Sequence, residues 1–174
     1  TPEEITYTEM TLLSTGDYML HMPQVESALQ ADGSYDFTSY TKYIDDIVTN
    51  ADYAVLNLET TITGAEHGYS GYPSFNSPES LLDALSGAGF DMCLFANNHT
   101  YDRGHTGLIN TQNAIAKHDL ACIGTRLSET EKSYKIIEAN GIKIGLLNYT
   151  YESEDNGEGA KYLNGIPLDQ RSLA

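Results

Sequence analysis

Two patterns of hydrophobic residues alternate along this chain. Short apolar runs, of the length of buried strands, are separated by stretches in which apolar residues recur every three or four positions, as on one face of a helix. The predicted strands cover 8–15, 53–58, 90–96 and 120–123, and the predicted helices cover 37–50, 77–88 and 105–118. Strands alternating with helices are typical of an α/β domain with a mainly parallel sheet.

The pattern changes in the last third of the chain. Two β runs, 134–139 and 142–149, are separated by Asn140-Gly141, which favours a two-residue hairpin because both positions accept a positive φ. The sequence therefore predicts an α/β fold with a mainly parallel sheet, flanked by helices, and a C-terminal antiparallel hairpin. Residues 1–151 form the predicted domain, and 152–174 are interpreted as a polar segment leading into a remainder that the sequence does not contain.

A set of apolar residues is expected to form the core. Several strand runs are apolar on both faces, which is typical of strands covered by helices on both sides. The residues expected to be largely buried are Leu12, Val55, Leu56, Leu82, Leu85, Cys93, Phe95, Ile123 and Leu146. Cys93 and Cys122 both lie in apolar runs and are interpreted as buried free thiols, with a single disulfide as the alternative.

Composition and charge exclude some classes of partner. The 174 residues contain 9 Lys and Arg against 25 Asp and Glu, so the formal charge is −16. This charge argues against non-specific binding to nucleic acid and against docking on anionic lipid. It is compatible with binding cations through oxygen ligands. No apolar run approaches the ~18 to 20 residues of a membrane span, so we expect no membrane insertion by this segment.

Unusual polar residues follow three of the predicted strands. The strand ends carry Asp17 with His21, then Asn57 with Glu59, then Asn97, Asn98 and His99 followed by Asp102. Because the carboxyl ends of parallel strands share one edge of the sheet, we expect these groups to converge there. Carboxylate, amide and imidazole groups together are ligands for Mn, Zn, Fe or Mg.

Each of these residues also has a purely structural interpretation. Asp17 can be a turn or cap residue, the Asn97-Asn98 pair an ordinary turn, and His99 a structural partner of Asp102. The remaining histidines, His67, His105 and His118, are interpreted as surface or packing residues. The sequence contains neither a glycine-rich phosphate loop nor a nucleophile elbow around serine.

Four segments carry a family resemblance. They are GDYMLH at 16–21, NLETTIT at 57–63, FNSPESLLDALSGAGFDMCLFANNHTYD at 75–102 and GIKIGLLNYTY at 141–151. Together they resemble the CapA-type proteins of bacterial capsule and poly-γ-glutamate biosynthesis, which are similar to calcineurin-like metallophosphoesterases. The resemblance covers residues 9–151 and implies a partial four-layer α/β/β/α sandwich.

The resemblance also implies roles for individual residues. Metal ligation is implied for Asp17, His21, Glu59 and Asn98. His99 is implied to face the substrate as a catalytic residue, with Asp102 orienting it. Three residues separate Asp17 from His21, whereas phosphoesterases have Asp-x-His, and the later His-containing motifs of the family lie beyond Ala174.

Two functions follow from the resemblance as expectations. The first is metal-dependent hydrolysis of a phosphoester in capsule or poly-γ-glutamate biosynthesis, by water that one or two divalent ions activate. The second is a non-catalytic accessory or binding role in a complex that makes or exports a capsular polymer. The expected partner is the anionic polymer or its synthesis complex.

The ends of the sequence carry expectations of their own. The chain starts at Thr1, so either a leader has been removed or the sequence is a piece of a longer one. We expect an extracytoplasmic protein anchored to the membrane through a segment that the sequence lacks. The expected metal site is incomplete in this fragment, so the fragment should bind metal weakly and be inactive. Uncovered apolar sheet surface should make it a homodimer or otherwise self-associated.

Overall fold

A four-stranded parallel sheet and a separate hairpin form the framework of the molecule. The computed structural model describes residues 6–151 and 161–166. The parallel sheet has the order β1-β2-β3-β4, and the two-stranded antiparallel sheet consists of β5 and β6. The strands are β1 (Leu12–Tyr18), β2 (Tyr53–Leu58), β3 (Met92–Leu94), β4 (Ala121–Ile123), β5 (Tyr134–Ala139) and β6 (Ile142–Leu147).

Four α-helices connect or follow these strands. They are α1 (Met22–Ala28), α2 (Asp45–Thr49), α3 (Ser80–Gly87) and α4 (Gly104–Lys117). Two short 3₁₀ helices lie at Thr38–Tyr40 and Ala65–His67. Among the residues described, no helix has both the length and the apolar character that a bilayer span requires.

The core is divided between the two faces of the parallel sheet. Along β2, Leu56 and Leu58 belong to the cluster that packs with the helices, whereas Val55 belongs to a second cluster. That second cluster includes Met92 of β3 and Ile137 of β5, so it joins the parallel sheet to the hairpin. Helices thus cover one face and the hairpin covers the other, so the expectation of helices on both faces is wrong. The predicted α/β fold, with a mainly parallel sheet and a C-terminal hairpin, is confirmed and fits a metallophosphoesterase-like sandwich.

The hairpin turn has the predicted geometry. Asn140 and Gly141 have φ values of 52° and 77°, and they connect β5 to β6 with Ala139 paired to Ile142. Asparagine tolerates the left-handed region and glycine adopts it freely, so the two residues form the tight turn at low cost.

The helix predicted over 37–50 is wrong. The structure has a 3₁₀ helix, a turn and the five-residue α2 instead of one continuous helix. Asp36 Oδ1 accepts a hydrogen bond from the backbone N–H of Thr38, which satisfies a donor outside any α-helix. Tyr40 turns towards α1, where its hydroxyl donates to the Gln24 carbonyl oxygen at 3.0 Å. These local and tertiary contacts outweigh the helical spacing of the apolar residues.

The core prediction fails at two of its nine residues. Leu12 is 37% exposed because β1 is an edge strand, and its neighbour Leu13 is the residue that packs against the helical core. Leu146, on the side of β6 that packs against the parallel sheet, is only half-buried. The other seven residues are buried. Cys93 and Cys122 are free thiols paired in register across β3 and β4.

Residues 161–166 pack onto the sheet although the sequence gives no periodic signal there. Leu163 is buried and forms an antiparallel bridge with Thr125, just beyond β4. The Asn164 side chain donates to the carbonyl oxygens of Ser133 and Asn148. Backbone bridges and one asparagine therefore hold this segment, and neither produces a hydrophobic pattern. Residues 152–160 and 167–174 of the predicted polar segment lie outside the described residues.

Candidate metal and catalytic site

A bulge in β1 sets the position of the first site residue. The register with β2 runs from Thr15 opposite Leu56 directly to Asp17 opposite Asn57, so Gly16 is the extra residue. A bulge re-aims the side chains that follow it. Here it places Asp17 across from Asn57, at the carboxyl edge of the sheet.

Asn57 connects the ends of three strands. Its Nδ2 donates to Asp17 Oδ1 at 2.7 Å and to Glu59 Oε2 at 3.0 Å. Its Oδ1 accepts a hydrogen bond from Asn97 Nδ2 at 3.1 Å. One amide therefore holds two carboxylates close together and is itself held by the residue after β3. Sequence reasoning placed Asn57 among the polar residues at the strand ends but did not predict that it holds the two carboxylates, because that role depends on the register between β1 and β2.

The two carboxylates share a region of unfavourable negative charge. The Glu59 side chain is 13% exposed. Burial raises the pKa of Glu59, and the negative charge of Asp17 raises it further, while His99 and the Asn57 amide oppose the shift. A positive charge between the two carboxylates would relieve this repulsion.

His99 lies between Glu59 and Asp102. Its Nε2 is 3.9 Å from Glu59 Oε1, and its Nδ1 is 2.9 Å from Asp102 Oδ2. The edge of the imidazole ring packs against Phe75, with ring centroids 4.6 Å apart. The backbone N–H of Phe75 also donates to Asp102 Oδ2, at 2.6 Å. Sequence reasoning missed this contribution of Phe75, because the residue is distant from His99 along the chain.

Asp102 is held in position rather than exposed to water. Burial raises its pKa, and the hydrogen bonds from Phe75 N–H and His99 partly oppose that shift. An aspartate that accepts from Nδ1 orients the imidazole and leaves Nε2 facing Glu59. We call this group of side chains the carboxyl-edge site. Its residues are Asp17, Asn57, Glu59, Asn97, Asn98, His99 and Asp102.

The two asparagines before His99 have different environments. Asn97 is buried, and its Oδ1 accepts from the backbone N–H of His99 while its Nδ2 donates to Asn57 and to the Leu58 carbonyl oxygen. Asn98 is exposed. Both line a pocket of about 230 Å³ together with Glu59 and residues 149–151. Asn98, Tyr149 and Tyr151 are the exposed residues of this lining.

His21 is near this site but stands apart from its hydrogen-bond network. It is exposed just before α1, and its backbone N–H donates a hydrogen bond to Gln24 Oε1. Its ring packs edge-on against Phe75, with centroids 5.3 Å apart. The structure thus brings Asp17, Glu59 and His99 together, puts Asn98 on the pocket rim, and places His21 behind Phe75.

Comparison with known proteins identifies the family. Residues 11–172 match the family described as bacterial capsule synthesis protein PGA_cap. The chain belongs to the PGA_cap family. The match runs through most of the sequence and includes every residue of the carboxyl-edge site.

Two curated relatives of this PGA_cap chain come from Bacillus. The PGA biosynthesis protein CapA of Bacillus subtilis (strain 168) is 26% identical over 176 residues, which cover 97% of this chain and 45% of that protein. The capsule biosynthesis protein CapA of Bacillus anthracis is 26% identical over 151 residues, which cover 82% of this chain and 35% of that protein. The chain spans less than half the length of these relatives.

The donor set of this PGA_cap chain fits an oxygen-ligated cation in part. The described residues contain no group of three or more His, Cys, Asp and Glu side chains arranged to hold a metal ion. Two carboxylates nevertheless converge on Asn57, and the pKa of Glu59 is raised first by burial and then by the charge of Asp17. The exposed amide of Asn98 lines a pocket with Glu59. Hard divalent ions take such carboxylate and amide oxygens and keep waters in their remaining positions.

The other histidines serve packing or surface contacts. His105 packs against Tyr162, with ring centroids 4.4 Å apart. His118 contacts Glu79 and Asp83, each at 2.9 Å. His67 is exposed. The interpretation of these three as surface or packing residues fits their positions.

Proposed function

We propose that this chain is a catalytic part of a capsule biosynthesis protein, whose carboxyl-edge site binds a divalent cation and hydrolyses a phosphoester. The observation that carries the proposal is the convergence of Asp17 and Glu59 on the single amide of Asn57, beside an oriented His99. Mn, Zn, Fe and Mg are the candidate ions, since each accepts carboxylate ligands.

The chain's own residues have distinct tasks in this proposal. Asp17 and Glu59 hold the cation, and Asn98 on the pocket rim adds an amide oxygen. When bound, the cation supplies positive charge to a phosphoryl oxygen and makes water a better nucleophile. His99, oriented by Asp102, donates from Nε2 to the charged oxygen or to the leaving group. Asn57 keeps the two carboxylates at a fixed separation.

The biological setting is part of the same proposal. The names of the Bacillus relatives refer to PGA and capsule biosynthesis. We infer that the polymer is poly-γ-glutamate or a similar anionic capsular polymer, that the partner is this polymer or its synthesis complex, and that the protein works outside the cytoplasm at the membrane.

Metal binding and turnover test the catalytic proposal. Calorimetric titration with Mn²⁺ should give saturable binding that Glu59→Gln weakens about tenfold or more, because one anionic ligand is lost. The exposed Glu26→Gln in α1 is the charge-matched control and should leave the affinity unchanged. With the full-length protein and a chromogenic phosphodiester, His99→Gln should lower kcat about 100-fold or more while Mn²⁺ affinity changes little.

An accessory role is the second candidate, favoured by the lack of a three-ligand His, Cys, Asp and Glu group among the described residues. In that case Mn²⁺ binding would be negligible in the wild type and Glu59→Gln would change nothing. Phosphodiester turnover would also be absent. Saturable binding without any turnover by the full-length protein would support the cation site and contradict the hydrolase.

A further inference from the structure

A second pocket lies at the opposite side of the parallel sheet from β1. It has a volume of about 210 Å³ and lies between the C-terminal half of α4, the edge strand β4 and the connection from β4 to β5. We call it the β4-edge pocket, defined by Gln112, Leu120, Cys122, Thr125, Lys132 and Lys135. None of these residues belongs to the carboxyl-edge site.

Two lysines, Lys132 and Lys135, outnumber the single carboxylate of this pocket, Glu131, so the lining carries a net positive charge in a strongly acidic chain. The formal charge of the whole chain is −16. Lys117, Lys143 and Lys161 form ion pairs with glutamates, whereas Lys132 and Lys135 have no carboxylate partner in the described part of the chain. Lys132 Nζ lies over the Tyr134 ring, 5.4 Å from its centroid, which leaves its charge available to an anion. Two lysines without carboxylate partners that line one concave surface attract a carboxylate or another anion.

The inner wall of the pocket contains a buried hydrogen-bond acceptor that has no donor. Gln112 is 6% exposed, and its Nε2 donates to Thr125 Oγ1 at 2.6 Å. Its Oε1 is buried without a hydrogen-bond partner among the residues described. Because an unpaired buried acceptor is destabilising, an N–H group that reached Gln112 Oε1 would be favoured.

The backbone of β4 offers further hydrogen-bonding groups. Ala121 N–H donates to Asp91 and the Ile123 carbonyl accepts from Phe95, so both residues direct their backbone groups towards β3. Because direction alternates along a strand, the N–H and C=O of Cys122 point away from β3, towards the open edge. An amide of a ligand lying along this edge can pair with them.

We propose that the β4-edge pocket binds an amide-linked chain bearing carboxylates. Lys132 and Lys135 bind its carboxylates, the open edge at Cys122 pairs with an amide, and Gln112 Oε1 accepts from an N–H. The aliphatic groups of Leu120 and Ile123 line the same pocket and can contact methylene groups. The choice of γ-linked glutamate as the chain rests on the proposed function, whereas the pocket's preference for carboxylate and amide rests on its own residues.

Calorimetric titration with a γ-linked glutamate oligomer, in the presence of a chelator, tests this site without using the cation site. Saturable binding is expected, and the double variant Lys132→Gln/Lys135→Gln should weaken it about tenfold, because two contacts between opposite charges are lost. Gln112→Leu, which keeps the buried volume, should weaken binding several-fold. Lys143→Gln, at a lysine paired with Glu138, is the matched control and should leave affinity unchanged.

Absence of saturable binding would overturn the proposal, and so would equal weakening by Lys143→Gln and by the double variant. Glutarate and an α-linked glutamate oligomer separate the possible ligands. Tighter binding of the γ-linked oligomer than of both supports the polymer assignment, whereas equal binding of all three supports a carboxylate site and overturns that assignment. Failure of Mn²⁺ to bind at Glu59 would affect only the catalytic proposal.

Discussion

At the scale of single residues, Asn57 determines the chemistry available at the carboxyl edge. Its amide donates to two carboxylates and accepts from Asn97, so it sets the separation of Asp17 and Glu59. A neutral donor between two carboxylates reduces their repulsion without neutralising either. The site therefore keeps a negative charge in a partly buried position, which stabilises a bound cation and destabilises the fold when none is bound.

Stability should respond to pH through Glu59. Its pKa in the folded state is raised, first by burial and then by Asp17, so the folded state binds more protons than the unfolded state at intermediate pH. The free energy of unfolding then falls as pH rises from the ordinary value of 4.5 through the raised pKa. Glu59→Gln should remove this penalty and, without metal, raise the free energy of unfolding at pH 7 by about 1 kcal/mol or less.

Urea unfolding across pH, in a chelator, measures this effect. The stabilisation by Glu59→Gln should disappear below about pH 4.5, where the carboxyl group is protonated in both states. The exposed Glu26→Gln should give no such pH-dependent difference. A Glu59→Gln protein that is less stable than wild type at pH 7 would show that the carboxylate is favourably paired and that the repulsion argument is wrong.

Sequence reasoning reached some of these residues and missed others for a physical reason. Asp17, Glu59 and His99 are recognisable because charged groups rarely end apolar strands by chance. The network that positions them depends on strand register, on the bulge at Gly16 and on the buried Asn97. Register is a tertiary property that local patterns do not contain. The amino-acid sequence alone does not show that Asn97 is buried and Asn98 is exposed.

At the scale of secondary-structure elements, α3 is the clearest case of a helix held by packing. It has only eight residues, too few to be stable alone, so burial of its apolar face must maintain it. Leu82 and Leu85 are fully buried on that face. Each change to Ala should lower the free energy of unfolding by about 2–5 kcal/mol, measured by urea unfolding. Leu147→Ala, at an exposed position, should change it by about 0.5 kcal/mol or less.

The junction between the two sheets depends on one glycine. Gly124 has φ of 102°, and a Cβ there would meet Asn148 Oδ1 and lie 2.6 Å from the backbone nitrogen of Ala96. Asn148 Oδ1 itself accepts from that same Ala96 N–H, so it has no freedom to move away. Gly124→Ala should therefore cost about 3 kcal/mol or more through strain and a lost hydrogen bond.

A second glycine variant serves as the control for Gly124. Gly145 in β6 has open space around its Cα, so Gly145→Ala should be neutral or slightly stabilising. Thermal unfolding of the two variants compares the positions directly. Similar melting temperatures for both would mean that the junction at Gly124 is looser than its contacts indicate.

Elements with strong local signals are the ones that the sequence predicts well. The hairpin has Asn140-Gly141 at its turn, and α3 and α4 have periodic apolar faces with a defined end. The prediction of a helix over 37–50 fails because of two hydrogen bonds. Tyr40 donates to a carbonyl oxygen of α1, and Asp36 accepts from Thr38, and both contacts compete with a weak helix. Leu12 fails because an apolar run gives no information on whether its strand lies at the edge or the centre of a sheet.

At the scale of the whole molecule, the net negative charge opposes self-association, whereas an apolar face of the hairpin favours it. The charge of −16 makes two copies repel each other at low ionic strength. The outward face of the hairpin nevertheless exposes Tyr134, Ile136 and Leu147, which lie on one side of the two strands. Ile136 and Leu147 are 64% and 65% exposed. Adjacent exposed apolar residues of this size favour association with another surface.

Self-association through this face should therefore depend on salt. Salt screens exposed charges beyond roughly 8 Å at 0.15 M, while burial of apolar surface is retained. Sedimentation velocity should detect monomers at low ionic strength and a concentration-dependent dimer as salt is added. Ile136→Ser with Leu147→Ser should shift the protein to monomer at every salt concentration, whereas Ile47→Ser, at a residue 61% exposed on α2, should not. A dimer that weakens with salt, or that Ile47→Ser disrupts equally, would contradict association through the hairpin face.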